Sequence, residues 1–182
     1  MARSLSLASP IAFVLLAVVG AVSCASNEAP GGPPVTFNPC DSVTLAPDAA
    51  ASTAELAGIA AAAALWNQSA GSALAMAAPA SMGATPAPTL PIHFQTAAAP
   101  IHGLYDAPDG QVFINNDLSG AELAITLAHE IGHSFGLVHI PPEVRPSLMN
   151  PGNLAVSITP DDVTALAALW GRCGSVDAGA TE

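Results

Sequence analysis

The segment 129–139 reads His-Glu-Ile-Gly-His-Ser-Phe-Gly-Leu-Val-His, the pattern H-E-x-x-H-x-x-G-x-x-H, and it leaves the chain around it few folds to choose from. An α-helix turns about 100° per residue, so His129 and His133 sit about 40° apart on one face and one turn apart along the axis. Leu123, Ala124, Leu127, Ile131 and Phe135 fall on the opposite side as an apolar stripe, so the helix is expected to back onto a core and to present its histidines to a cavity. Glu130 lies about 100° from His129, beside the imidazoles. Gly136 tolerates a left-handed, helix-ending conformation, which lets the chain turn and return His139 to the same point.

Three neutral imidazoles suit one zinc ion and leave one of its four positions open to solvent, the arrangement of a catalytic site more than of a closed structural one. A carboxylate beside such a site can act as general base. Each His taken alone is more often a hydrogen-bonded core residue; the Gly and the third His at fixed spacing make the metal reading the stronger one.

The segment resembles the signature of the metzincins, a clan of zinc endopeptidases whose second mark is a Met-containing turn beneath the metal. Ser147-Leu148-Met149-Asn150-Pro151 follows His139 by a short loop and is similar to that turn, which implies that Met149 forms the floor of the site. Within the clan the chain resembles the matrixins, which carry a first helix with a Trp near its end and a C-terminal helix after the Met turn. The resemblance spans about residues 35–173. It implies an α+β, zincin-like fold: a small twisted mixed β-sheet, a first helix, a metal-site helix and a C-terminal helix.

It further implies one catalytic zinc held by His129, His133 and His139, with Glu130 as general base, acting on an extended peptide or protein substrate. In metzincins the strand just before the metal helix is the sheet edge along which a peptide lies, and Gln111, Val112, Phe113, Ile114 and Asn115 occupy that place; main-chain pairing there would hold substrate largely independently of its sequence. The chain also departs from the family. The His/Asp pattern for a second, structural zinc is missing, and His93 and His102 lack partners at ligand spacing, so no structural zinc is expected. A Tyr after the Met turn is absent, the single Tyr being Tyr105, upstream. No propeptide with an inhibitory Cys is evident unless Cys24 or Cys40 serves.

The rest of the sequence bounds the setting. At 182 residues the chain suits one domain. A formal charge of −11, with Arg3, Arg145 and Arg172 as the only basic side chains, argues against nucleic acid or an anionic membrane surface as a partner. Residues 1–23 combine an early Arg, an apolar run and a small-residue end, the pattern of a secretory signal peptide, and the run is too short to span a bilayer as a helix of about 20 residues. Ala21-Val22-Ser23-Cys24 resembles a bacterial lipobox, with Ala21 where Leu is more usual. Lipidation of Cys24, followed by a linker over 24–34, is favoured over plain secretion, which makes an outer-surface or periplasmic lipoprotein the expected location and Cys24 the only membrane contact. Cys40 and Cys173 then remain as an even pair. In an exported protein they are the natural disulfide, against two buried free thiols.

Along the chain, residues 35–37 and 43–45 are short β-prone runs, one of which is expected to begin the sheet. A capping box from Ser52 to Glu55 opens a helix of about residues 53–69 with Leu56, Ile59, Ala63 and Trp66 on its core face. Residues 70–89 are Ala-, Ser-, Gly- and Pro-rich with little pattern and read as a surface loop. A strand is expected over 90–95 and another over 111–115, the latter after the Pro108-Asp109-Gly110 turn. Asp106, Asp109 and Asp117 lack calcium-loop spacing, so calcium is not expected. Ser119 to Glu122 has capping-box spacing at the start of the metal helix. Thr159-Pro160-Asp161-Asp162 starts a last helix with Val163, Leu166, Leu169 and Trp170 inward and Gly171 as its stop. The domain is taken as residues 35–174, a monomer, with a disordered tail over 175–182.

Overall fold

In the computed structural model, residues 34–77 and 87–174 are described. The expected signal peptide, Cys24, nearly all of the linker and the 175–182 tail lie outside them. The elements in chain order are β1 (Ser42–Pro47), α1 (Thr53–Ala70), β2 (Ala73–Met76), β3 (Thr89–Gln95), β4 (Gly103–Asp106), β5 (Gln111–Asn115), α2 (Gly120–Ser134) and α3 (Pro160–Trp170). The strands form one sheet in the order β2-β1-β3-β5-β4. All pairings are parallel except β4 with β5.

The α1 and α2 helices pack face to face, and their buried residues close over the sheet's inner side chains Val43, Leu45, Leu90, Ile92, Val112 and Ile114. Close approach of the helices depends on Gly58, where any Cβ would come within 2.7 Å of Leu123 Cδ2. Trp66 is fully buried; its indole N–H donates to the Ala128 carbonyl at 2.9 Å, and its ring meets Phe135 edge to face with centroids 5.5 Å apart. This satisfies the polar atom of the largest core side chain while tying α1 to the metal helix.

The capping box of α1 forms as the spacing predicts, Glu55 N–H to Ser52 Oγ and Ser52 N–H to Glu55 Oε2. The α3 box forms likewise between Thr159 and Asp162. The box expected at α2 does not: Ser119 is the N-cap, yet its side chain accepts no capping hydrogen bond. Two expected core positions also face out, Leu56 at 37% and Leu169 at 55% exposure.

Two other expectations change. Residues 111–115 are not the sheet edge, because β5 pairs with β3 on one side and β4 on the other. The Pro108-Asp109-Gly110 turn folds β4 back on β5 as a hairpin and puts β4 outermost, while burial of Val112 and Ile114 is what an internal strand needs. Residues 73–76 within the patternless stretch form β2. Their weak β-propensity is offset by Asn67, whose side-chain amide donates to the Leu74 carbonyl at 2.9 Å and accepts from its N–H at 3.0 Å, imitating a strand partner. Of the two early β-prone runs, 43–45 begins the sheet as part of β1, as expected of one of them, and residues 35–37 do not join it; Val35 N–H bonds Ala107 and Phe37 N–H bonds Ser134. Cys40 and Cys173 are joined as a disulfide, linking the approach to β1 with the end of α3.

Candidate metal centre

The apolar stripe of α2 is buried as the angular argument requires, Leu127, Ile131 and Phe135 completely so. The stripe fixes the helix's rotation, and rotation alone aims His129 and His133 away from the core. Gly136 has φ +89°, and the chain reverses there to bring back His139. The three Nε2 atoms form a triangle, each 3.1 Å from the other two.

Between His129 and His133 the contact is not a hydrogen bond. His129 Nδ1 lies 2.7 Å from the Leu148 carbonyl and His133 Nδ1 lies 2.8 Å from the Leu137 carbonyl. A carbonyl only accepts, so both Nδ1 atoms carry the proton and, in neutral rings, both Nε2 atoms present lone pairs. Burial holds the rings neutral, pushing His129 down to about 4 and His133 down to about 3, with neighbouring imidazoles adding to the effect. Burial lowers His139 too. Lone pairs converging at this distance repel unless a cation lies among them. A tetrahedral ion at about 2.0–2.1 Å from each nitrogen would set them about 3.3–3.4 Å apart, close to what is seen. The donor set therefore fits a single zinc ion, and it is the only group of three such side chains clustered at ligand spacing among the described residues.

Glu130 is 1% exposed, and neither carboxylate oxygen has a hydrogen-bond partner in the protein. Burial pushes its pKa up to about 8; the Tyr105 backbone lies near enough to oppose this, though it does not reach hydrogen-bond geometry. An unpartnered buried carboxyl is costly, and its neighbours show why it is here. With His133 and His139 it lines a cleft of about 200 Å³ whose other walls are Val35, Leu104, Tyr105, Leu137 and Val138. Gly103 of β4 lies against it: a Cβ on Gly103 would stand 2.8 Å from Glu130 Oε1 and 2.9 Å from its Cγ.

Met149 is 1% exposed and sits under α2, where Gly132 makes room for it; a Cβ on Gly132 would be 2.8 Å from the Met149 sulfur. The turn carrying it is fully wired. Ser147 N–H bonds Asn150 Oδ1, Met149 N–H bonds Ser147 Oγ, and the Met149 carbonyl accepts from Ile140 N–H, just past His139. The same turn supplies the Leu148 carbonyl that orients His129.

The sequence-derived site residues thus divide. His129, Glu130, His133, His139 and Met149 come together. Val112, Phe113, Ile114 and Asn115 do not line the cleft; the strand that does is β4, through Leu104 and Tyr105, with Gly103 against Glu130. The spacing arguments missed Gly103 and the 34–36 segment, which forms a wall of the cleft, with Tyr105 Oη donating to the Val35 carbonyl at 2.5 Å. His93 lies apart, its Nδ1 2.8 Å from Asp48 Oδ1 and its ring stacked on Phe113.

No family model matches the sequence, and no curated protein matches it. Solved structures do match in fold. Myroilysin aligns with a TM-score of 0.55 at 12% identity, covering 83% of this chain and 95% of that one. Archaemetzincin from Methanopyrus kandleri aligns with a TM-score of 0.53 at 14% identity, covering 72% of this chain and 96% of the other. A second myroilysin structure gives 0.52 at 10% identity, over 76% and 83%. At such identities the likeness is one of fold, and that fold is the α+β, zincin-like one.

Proposed function

We propose that this chain is an exported zinc-dependent endopeptidase of the metzincin type. The observation that carries this reading is the convergence of three imidazole Nε2 atoms beside a buried carboxylate, Glu130, that has no hydrogen-bond partner and lines the same cleft as His133 and His139. A metal held only for stability has no use for the second feature, which is why a non-catalytic zinc-binding protein is the weaker reading.

His129, His133 and His139 would hold the ion. Zinc bound there supplies Lewis-acid polarisation of a scissile carbonyl and acidifies water. Glu130 would be favoured in its ionised form by a cation held on the three imidazoles, against the effect of burial. Glu130 then takes the proton of the attacking water and passes it to the departing amine. The Leu148 and Leu137 carbonyls keep His129 and His133 in the tautomer whose Nε2 is free.

For substrate we propose an extended peptide along β4, in place of the 111–115 strand. Among the described residues no strand pairs with the outer side of β4, and Gly103, Leu104 and Tyr105 run beside the metal centre. Backbone pairing at such an edge binds a peptide with little dependence on its sequence. The Cys40–Cys173 disulfide fits an oxidising, extracytoplasmic compartment. Among the described residues no helix is long and apolar enough to cross a membrane, and we propose attachment through lipid on Cys24.

The test compares wild type with Glu130→Gln on unfolded proteins and a broad peptide library, with zinc content measured for each. One zinc in both and cleavage by wild type alone is the expected result. Zinc-loaded wild type that cuts nothing would sink the endopeptidase reading.

A further inference from the structure

We propose that Asp162, in the first turn of α3, is a positioning residue for the metal centre: its buried carboxylate fixes the 147–150 turn and, through the Leu148 carbonyl, the ring of His129. The proposal rests on the zinc reading above.

Asp162 is 0% exposed. Burying a carboxylate is costly unless it is hydrogen-bonded, and this one is saturated. Oδ1 accepts from the Ser147 hydroxyl in a very short bond; Oδ2 accepts from Leu148 N–H at 3.0 Å, Thr159 N–H at 2.8 Å and Thr159 Oγ1 at 2.8 Å. Only the Thr159 contacts belong to capping. The protein contains its own comparison in the α1 box, where Ser52 and Glu55 do the capping with exposed hydrogen bonds. Capping does not require burial, so the enclosure of Asp162 serves its other two bonds, which reach to residues fourteen and fifteen positions back.

Those bonds act where the histidine is set. Leu148 gives its N–H to Asp162 and its carbonyl to His129 Nδ1, so one peptide segment is gripped by the carboxylate and grips the ring. Ser147 Oγ, held by Asp162, also accepts from Met149 N–H at 2.9 Å and so orders the turn under the metal. His133 takes its support from Leu137, a few residues along its own segment. The ring of His129 takes its support from a distant element. The carboxylate is also near enough for its charge to be felt at His129. Outer partners of ligating histidines are typically worth about 10–100-fold in metal affinity.

The experiment measures zinc affinity by chelator competition, and the visible spectrum of the cobalt-substituted protein, for wild type, Asp162→Asn, Ser147→Ala and Glu55→Gln. Asp162→Asn keeps the shape but loses the charge and turns an acceptor into a donor. We expect zinc affinity to fall about 10–100-fold with a shifted cobalt spectrum. Ser147→Ala, which spares the α3 cap, should move both in the same direction by less. Glu55→Gln should lower melting temperature and leave both metal readouts at wild-type values. If Asp162→Asn does not fold, Ser147→Ala carries the test. Wild-type affinity and spectrum in the folded Asp162 and Ser147 variants would overturn the positioning role while leaving the zinc reading intact. A wild type that takes up no zinc would overturn both.

Discussion

Gly103→Ala adds one methyl group at the point where β4 passes the Glu130 carboxylate. The new Cβ would lie 2.8 Å from Oε1, 2.9 Å from Cγ and 3.0 Å from Thr126 Cγ2. Comfortable contacts begin at about 3.5 Å, so the Glu130 atoms must move by about 0.7 Å. Thr126 and Glu130 are both on α2 and buried, and α2 is locked by Trp66 and Met149, so the Glu130 side chain is what yields. A displacement of about 1 Å at a reacting group can cost about 100-fold, so about 0.7 Å should lower kcat/KM by about 10–30-fold. Overpacking of this kind should also cost about 1–3 kcal/mol in stability. Zinc content should stay at one per chain, since no ligand is touched. The assay is steady-state cleavage of any peptide the wild type cuts, beside zinc analysis and thermal unfolding. If kcat/KM stays within about twofold of wild type, Gly103 does not set the position of the carboxylate.

The metal-free protein should be most stable near pH 6.5. Glu130 is raised to about 8, so as pH falls from 8 toward 6.5 the folded state takes up a proton that the unfolded chain does not, and stability rises. His129 and His133 are lowered to about 4 and about 3 and His139 is lowered as well, so below 6.5 the unfolded chain gains protons that the folded site refuses, and stability falls. Denaturant titrations in chelator across pH 5–8 check this; stability rising steadily to pH 8 would contradict it. Reducing Cys40–Cys173, which are 133 positions apart, should cost about 5 kcal/mol in the chain-entropy model, read as the denaturation midpoint of Cys40→Ser with Cys173→Ser against wild type. An unchanged midpoint would mean the bridge constrains little. Trp66→Phe removes the hydrogen bond to Ala128 and part of the ring against Phe135, and should destabilise by about 1–3 kcal/mol while zinc affinity in the folded protein is unaltered.

What the sequence made legible was local. Helical spacing alone puts His129 and His133 together and Ile131 and Phe135 opposite them, and a glycine at 136 is enough to foresee the turn to His139. Capping chemistry at Ser52 and Thr159 places two helix starts because the bonds close within one turn. Non-local pairing was harder to read. The 111–115 run is apolar enough for either an edge or an interior strand, and only the hairpin partner decides, a partner whose own residues include Gly103 and Asp106. The 73–76 strand depends on the side chain of Asn67, which no propensity records. Gly103 carries no signal in sequence, since its reason is a carboxylate twenty-seven positions away. Asp162 was visible as a cap, while its reach to Ser147 and Leu148 appears only when the turn is folded over it.

The central claim is that one zinc ion binds to three imidazoles of the 129–139 segment. X-ray absorption at the zinc edge on purified, zinc-loaded protein tests it directly. One zinc per chain with three imidazole nitrogens and a light fourth ligand at about 2.0–2.1 Å is the expected result. A sulfur scatterer at about 2.3 Å, or loss of fewer than one imidazole from the coordination shell on changing His139 to Ala, would contradict it.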